Sequence, residues 1–511
     1  MRAAVIDIGS NSTKLIIGER EGEDIKILES LKNIIPIGKS TFYQGRISQE
    51  IFTQTIQVLE QYKKLINEYA VTSVKVIATT AVREADNRDI FTDTVSRKTG
   101  FPIEVLNVGD VVYYIDAFLS YKLKKSYPIN EKNLLIAELG AGSLDISVME
   151  KGYTLMNLGV PIGTSRLRQF KGKIEGSQRD IYEAVSEYVD NEFMNFKRLL
   201  PHIKLDDILL IDESYSTVLH RILPNKKRES NFFQFQFRES KQLLNRIIDR
   251  NLDVFAQKYD LTPEVADSMD GYAIIINKLF QLIKKRSIYI LETSLSEALL
   301  ANMILDFDIA KKYSKENQLI SVAKFLCRKF DADLKHTRHV AFLAEELFKQ
   351  FKDMLGLKDA DLLYLTLAAY LHSIGIFVNN RAHHKHTEYM INTLTLFRLT
   401  SQEIKCIACI ARYHRKAAPQ RTHFLYSGLS PEEQLLVQKL SSLLRLANAM
   451  DSAHKQKIKK IEVIFGDAKN IKIVGFSQEN IVLEKFVFSE RKQLFEEISG
   501  NAVSLVVKRP I

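Results

Sequence analysis

AVIDIGSNSTKLII, residues 4–17, and IAELGAGSLDISVM, residues 136–149, are written to one plan. Each runs a short apolar stretch into an acidic residue, turns over small residues and leaves on a second apolar stretch. This is the pattern of a β-hairpin with a Gly/Ser-rich tip. In this register Asp7 matches Glu138, Gly9 matches Gly140 and Ser12 matches Ser143. A hairpin that returns after an intervening helix-bearing stretch predicts two related lobes facing each other. A turn of Gly, Ser and Asn can aim several backbone N–H groups at one anion, so two such turns can hold two phosphates.

The sequence between the hairpins alternates helix and strand. Apolar residues at helical spacing predict a helix over 48–70, and VKVIATT, 74–80, reads as a buried strand. A helix over 87–99, the strand IEVLNV at 103–108 and a helix over 110–124 complete an α/β lobe at residues 1–125. A second lobe follows at 126–305, more helical after Gly152, with strands expected at 208–211 and 287–291. From about Lys315 the pattern is helical and rich in histidine, which predicts an all-α domain over 306–458. Residues 459–511 offer three strands and a helix near 491–498, read as a small α+β unit.

Length and composition agree with several globular domains: 511 residues, 46% hydrophobic and 26% charged. The N-terminal segment lacks a signal-peptide pattern and no apolar run reaches the length of a membrane span, so a cytoplasmic, membrane-free protein is expected. Cys327, Cys406 and Cys409 are too few for a disulfide framework, in keeping with a reducing compartment. Cys406 and Cys409 are spaced as CxxC, but KCIACIAR reads as an amphipathic helix, and core packing is the better account. A formal charge of +10 favours polyanionic partners. No nucleic-acid-binding motif accompanies that charge, which ranks nucleic acid last among such partners.

DIGSNS at 7–12, IATTAVREADN at 77–87, GFPIEVL at 100–106 and LLRLANAMDSAH at 443–454 together resemble the exopolyphosphatase and guanosine pentaphosphate phosphohydrolase family. The resemblance spans essentially the whole chain. It implies an actin-like (ribonuclease H-like) pair of α/β lobes followed by an HD-like helical domain, with inorganic polyphosphate or guanosine pentaphosphate held between the lobes and a homodimer as the assembly. It also implies phosphate binding at Gly9, Ser10, Asn11 and Ser12, at Gly140, Ala141, Gly142 and Ser143, and at Arg83. Magnesium would be held by Asp7 and Glu138. Amides and a guanidinium fork suit a terminal phosphate. The alternatives are an ordinary tight hairpin at 7–12, and a surface ion pair from Arg83 to Glu84 or Asp86.

The catalytic centre departs from that family. Its members carry a glutamate pair shortly after a glycine, one of them the base that activates water. Here Gly109 is followed by Asp110, and both glutamate positions are valine, Val111 and Val112. Valine takes no proton. Asp110, one or two positions away on a helix, points about 100° or 200° from the required direction. Asp145 in the second hairpin is the remaining carboxylate near Asp7 and Glu138, and is the candidate to orient water or metal. IDES, 211–214, replaces a glycine-rich family loop with a carboxylate pair that repels phosphate.

The helical domain offers His339, His372 followed by Ser373, and Asn448 where an HD-type site needs a histidine, a His-Asp pair and a later aspartate. Two carboxylates are missing, so a structural role for His339 and His372 is expected. RAHHKH, 381–386, and RYHRK, 412–416, could guide a polyanion, or form a solvated basic surface or a dimer contact. Two functions remain open: a phosphoanhydride hydrolase, and a noncatalytic protein that binds polyphosphate or an alarmone nucleotide.

Overall fold

A computed structural model describes residues 1–213, 215–223, 232–248, 251–283, 286–306, 314–466 and 470–509. The chain divides into two compact units, Met1–Ser314 and Lys315–Ile511. In the first, β1 (Arg2–Ile8), β2 (Ser12–Glu21), β3 (Asp24–Ile34), β4 (Ser73–Ala78) and β5 (Ile103–Val105) form a sheet in the order β3-β2-β1-β4-β5. A second sheet holds β6 (Asn133–Leu139), β7 (Leu144–Glu150), β8 (Tyr153–Val160), β9 (Asp207–Ile211), β10 (Phe232–Gln236) and β11 (Ser287–Leu291), in the order β10-β11-β9-β6-β7-β8.

Each sheet is an antiparallel meander of three strands continued by parallel strands, so β3-β2-β1-β4-β5 is repeated as β8-β7-β6-β9-β11. The strand β10 adds an antiparallel edge to the second copy. The duplicated hairpin is therefore the visible part of a duplicated lobe. The strand β1 is central, and its apolar run is unbroken because both faces are covered.

Three strands were not expected from the sequence. The edge strand β3 is largely exposed and charged, which hides its period. The strand β8 follows β7 through Lys151 and Gly152, with φ of 49° and 84°, the left-handed pair of a tight hairpin turn. The strand β10 adjoins residues 224–231, which lie outside those described. Two expected strands are shorter. VKVIATT is strand only to Ala78, and Thr80–Arg83 is a short helix. IEVLNV is strand only to Val105, because Asn107 caps a helix over Val108–Lys122.

That helix packs on β7 and β8, while the helix Leu295–Leu305 packs on β1 and β2, and the two helices pack on each other. Each belongs by sequence to one lobe and by contact to the other sheet, so boundaries at 125 and 305 do not follow the packing. Sandwiched in this way, the first helix is buried at every position from Gly109 to Ser120, which accounts for its sequence VVYYIDAFLS.

The second unit is helical from Lys315–Lys329 to Pro431–Ala449 and ends in a sheet of β12 (Lys460–Phe465), β13 (Asn470–Phe476) and β14 (Ala502–Lys508). The helix Pro431–Ala449 packs on Val482–Arg491 and Gln493–Ser499, and Leu334–Leu355 packs on β12. The tail at 459–511 is thus part of one compact unit with the helices. The boundary expected at 305/306 adjoins residues 307–313, outside those described, and the units divide at Ser314. Cys327, Cys406 and Cys409 are free and buried, and burial pushes the thiols of Cys327 and Cys406 up to about 11 and about 12. Among the described residues no helix is long and apolar enough to cross a membrane.

Candidate functional site

The two hairpin tips close in the same way. The Gly9 N–H donates to the Ser12 carbonyl and the Gly140 N–H to the Ser143 carbonyl, each at 3.0 Å. Directly across the strands, Asp7 faces Lys14, whereas Glu138 faces Asp145. The second hairpin therefore carries a carboxylate where the first carries an ammonium. The tips also approach each other. A Cβ on Gly142 would stand 2.7 Å from Ser10 Oγ, 2.9 Å from Phe42 Cζ and 3.0 Å from Thr80 Cγ2, so only glycine fits there.

Between the tips lies a cleft of about 140 Å³. Its walls include Asp7, Gly9, Ser10, Asn11, Ser12, Glu138, Gly140, Ala141, Gly142, Ser143 and Asp145, which were anticipated, and Lys14, Lys32, Thr80 and Glu213, which were not singled out as binding residues. Lys14 was discoverable, since strand pairing across the quoted hairpin sets it opposite Asp7.

Arg83 stands behind this wall. Its guanidinium donates to the Leu106 carbonyl at 2.8 Å and to Thr80 Oγ1 at 3.1 Å, and Thr80 Oγ1 shares a 2.9 Å hydrogen bond with Ser143 Oγ. It reaches the second turn through Thr80. Glu84 pairs with Arg166 at 2.6 Å, and that arginine also donates to the Gly142 carbonyl at 2.8 Å and lies 4.0 Å from the centre of the Phe42 ring.

Burial dominates the electrostatics. It raises the carboxyl of Glu138 to about 8, helped by Asp145 and opposed by Lys14. It raises Asp145 to about 6 against the lowering influence of Arg83 and a Ser143 hydrogen bond. Asp7 is likewise raised, with Lys14 opposing. Burial pulls the Lys14 ammonium down, but Glu213 and Asp7 outweigh it and hold it above its usual value. Lys14 forms an ion pair with Glu213.

Val111 and Val112 are both buried, and of the two only Val111 borders the cleft. Asp110 is a capping residue. Its carboxylate accepts from the Asn107 N–H at 3.1 Å, and its own N–H donates to Asn107 Oδ1 at 2.9 Å. In IDES, Asp212 is buried and accepts from the Tyr272 hydroxyl at 2.6 Å, Glu213 faces the cleft, and Ser214 lies outside the described residues.

Asp7 Oδ1 and Asp145 Oδ1 are buried and accept no hydrogen bond. A hard oxygen such as Asp7 Oδ1 suits magnesium, which binds through one or two carboxylates together with substrate phosphates and water. Among the described residues no group of three or more His, Cys, Asp or Glu is arranged to hold a metal ion without such help.

In the second unit, His372 is buried with Nδ1 on the Ala369 carbonyl at 2.7 Å, as a structural histidine. His339 does not join it. His336 does, standing 2.8 Å from Asp451 and 5.3 Å from the His372 ring. The same pocket is lined by Ser373, Asn448, His383 and His414. RAHHKH and RYHRK thus meet inside the unit, rather than only on its surface.

The family model described as Ppx/GppA phosphatase family matches residues 15–307, and that of Ppx/GppA phosphatase, domain III, matches residues 319–494. A guanosine-5'-triphosphate,3'-diphosphate pyrophosphatase of Pseudoalteromonas translucida (strain TAC 125) is 22% identical over 470 residues, 87% of this chain and 86% of the relative. Two solved structures share the fold. The Ppx/GppA family member of Aquifex aeolicus has a TM-score of 0.51 at 23% identity, covering 60% of this chain and 98% of its own. An exopolyphosphatase of Cytophaga hutchinsonii has a TM-score of 0.53 at 18% identity, again covering 60% and 98%. Their fold agrees with the actin-like lobe pair expected for the first unit. With the first model alone matching more than half of its residues, the chain belongs to the Ppx/GppA phosphatase family.

Proposed function

We propose that the cleft binds the terminal phosphoryl group of inorganic polyphosphate or guanosine pentaphosphate and hydrolyses the phosphoanhydride slowly, with Asp145 as general base. The observation that carries this reading is Asp145 Oδ1, which is buried, accepts no hydrogen bond and belongs to a carboxyl raised to about 6 in the cleft wall. A base held near the working pH is what water activation requires. The two turns present backbone amides to phosphate oxygens, and Lys14 supplies charge beside them. Asp7 and Glu138 would hold magnesium, which when bound offsets the negative charge of the phosphates. Arg83 positions the second turn through Thr80.

A second reading, a noncatalytic binding protein, is favoured by Val111, the one family base position that faces the cleft. The experiment is phosphate release from long-chain polyphosphate and from guanosine pentaphosphate with magnesium. It compares the natural protein, Asp145→Asn and Val111→Glu, with binding measured on each. Turnover that Asp145→Asn lowers about 10²–10⁴-fold supports the hydrolase. Binding without turnover until Val111→Glu is made establishes the noncatalytic protein.

A further inference from the structure

The second unit holds a cluster, buried at its centre and open at His454, that the cleft chemistry does not use. His336, His372, His383, His414 and His454, with Arg415 and Arg491, line a pocket of about 220 Å³. The approach of its walls is enforced locally. A Cβ on Gly375 would lie 2.3 Å from the His383 carbonyl oxygen and 2.4 Å from Thr387 N, so glycine brings the segment after His372 against the helix His383–Asn392.

Three of these histidines, His372, His383 and His414, are held neutral. His372 and His414 each donate Nδ1–H to the carbonyl three residues back, at 2.7 Å, and burial keeps both well below 6.5. His414 Nε2 is therefore an acceptor, and the 3.3 Å contact from His383 Nε2 is a donated hydrogen bond. Burial and the neighbouring Arg415 push His383 down to about 4.

The pocket's arginines leave donors unspent. Arg415 Nε and Arg491 Nη1 are buried without a hydrogen-bond partner. Arg445 lies beside them and spends its donors on the carbonyls of Arg491 and Tyr413. Burial, then Arg445 and Arg415, lowers Arg491 to about 10. Nearby carboxylates have partners of their own, Asp451 with His336 and Gln456, Asp333 with His454, and Glu388 through Oε2 with Arg412, although Glu388 Oε1 is buried without a hydrogen-bond partner. A buried charged donor left without an acceptor is costly, and an anion that accepts from it removes that cost. His454 in the lining, and Ala382 and Lys416 next in sequence to His383 and Arg415, hold left-handed φ of 55°, 58° and 56°, a conformation that persists only where the surroundings enforce it.

We propose that this pocket binds a phosphoryl group, on an inorganic phosphate or a nucleotide, directly and without a metal ion, through Arg415 and Arg491. A guanidinium pair matches phosphate oxygens by geometry as well as charge. Ser373 Oγ, buried and unpartnered, adds a neutral donor. A metal ion is the poorer occupant. Ser373 and Asn448 supply no carboxylate, the His414 lone pair is taken by His383, and no described group of His, Cys, Asp or Glu is arranged to hold one.

The test reads the site itself, so that binding in the cleft of the first unit does not enter. The full-length protein, in chelator, is treated with phenylglyoxal, and modification of Arg415 and Arg491 is measured by peptide mass spectrometry. Orthophosphate, tripolyphosphate and GTP are added in separate arms, and Arg412, paired to Glu388, serves as reference. At about ten times the dissociation constant, labelling of both arginines should fall about tenfold while Arg412 is unchanged. Protection by the inorganic anions assigns the site to inorganic phosphate, and protection by GTP alone assigns it to a nucleotide. Either supports the proposal. Arg415→Gln should abolish protection of Arg491. No protection in any arm at millimolar ligand, or protection only when zinc replaces the chelator, overturns it.

Discussion

Val111 sits where the helix Val108–Lys122 meets the cleft, while Val112, one residue on, is in the core. The same substitution should therefore have different consequences at the two positions. Val111→Glu buries its stem but can turn its carboxylate into the cleft, whereas Val112→Glu has no such outlet, buries an unpaired charge and should lower stability by about 3–5 kcal/mol, more than Val111→Glu does, read by urea denaturation. Asp110→Ala should cost about 1 kcal/mol of stability through the lost helix cap and leave phosphate release unchanged. A collapse of turnover would instead make Asp110 the base. Gly142→Ala should weaken phosphate binding and destabilise the lobe pair by about 1–3 kcal/mol, because Ser10, Phe42 and Thr80 leave no room for a methyl group. At this scale the sequence displayed residue types well and directions poorly. That the turn glycines and Asp145 would gather at one cleft was legible, but which valine faces it depends on a helix sandwiched between both sheets. For the same reason the sequence reading named His339 and not His336, since both lie on one helix and only packing separates them.

The crossing helices set a second prediction, on the element Val108–Lys122. Its Asp116 is fully buried against the opposite sheet, accepting from Ser147 Oγ at 2.8 Å and Thr154 Oγ1 at 3.0 Å, and burial raises its carboxyl to about 7. A folded-state value above that of the unfolded chain means the folded state holds the proton more tightly. The associated stability is present below about pH 4 and is lost as pH rises through about 7. Chemical denaturation at pH 5 and pH 8 should show Asp116→Asn abolishing this part of the decline, an effect on the order of a few kcal/mol. Elements with strong period or unbroken apolar runs, such as β1, β4 and the helix Gln49–Glu68, were legible. The exposed, charged β3 was not, because an edge strand is written to discourage pairing and so lacks the signal of a buried one.

For the whole molecule, the division at Ser314 predicts that a chain ending there folds alone. The Aquifex aeolicus and Cytophaga hutchinsonii structures match nearly their full length over 60% of this chain, so the lobe pair exists elsewhere without a second unit of this kind. Circular dichroism of residues 1–314 should show one cooperative thermal transition, and a molten profile would show that the second unit is required. The two-lobe plan was legible because a repeated hairpin is a local signal, while the union of the helical region with the C-terminal sheet is a packing fact with no local signature. The ion pair of Lys14 with Glu213 has a meaning at this scale, since one partner belongs to the first sheet and the other follows β9 of the second. Glu213 is in effect a tethered anion, presented to Lys14 at an effective concentration on the order of millimolar or above. On the proposed function, a dilute monovalent anion would lose that contest, whereas a phosphate chain engaging both turns at once would win it, and the cleft would filter its guests by valency before any chemistry begins.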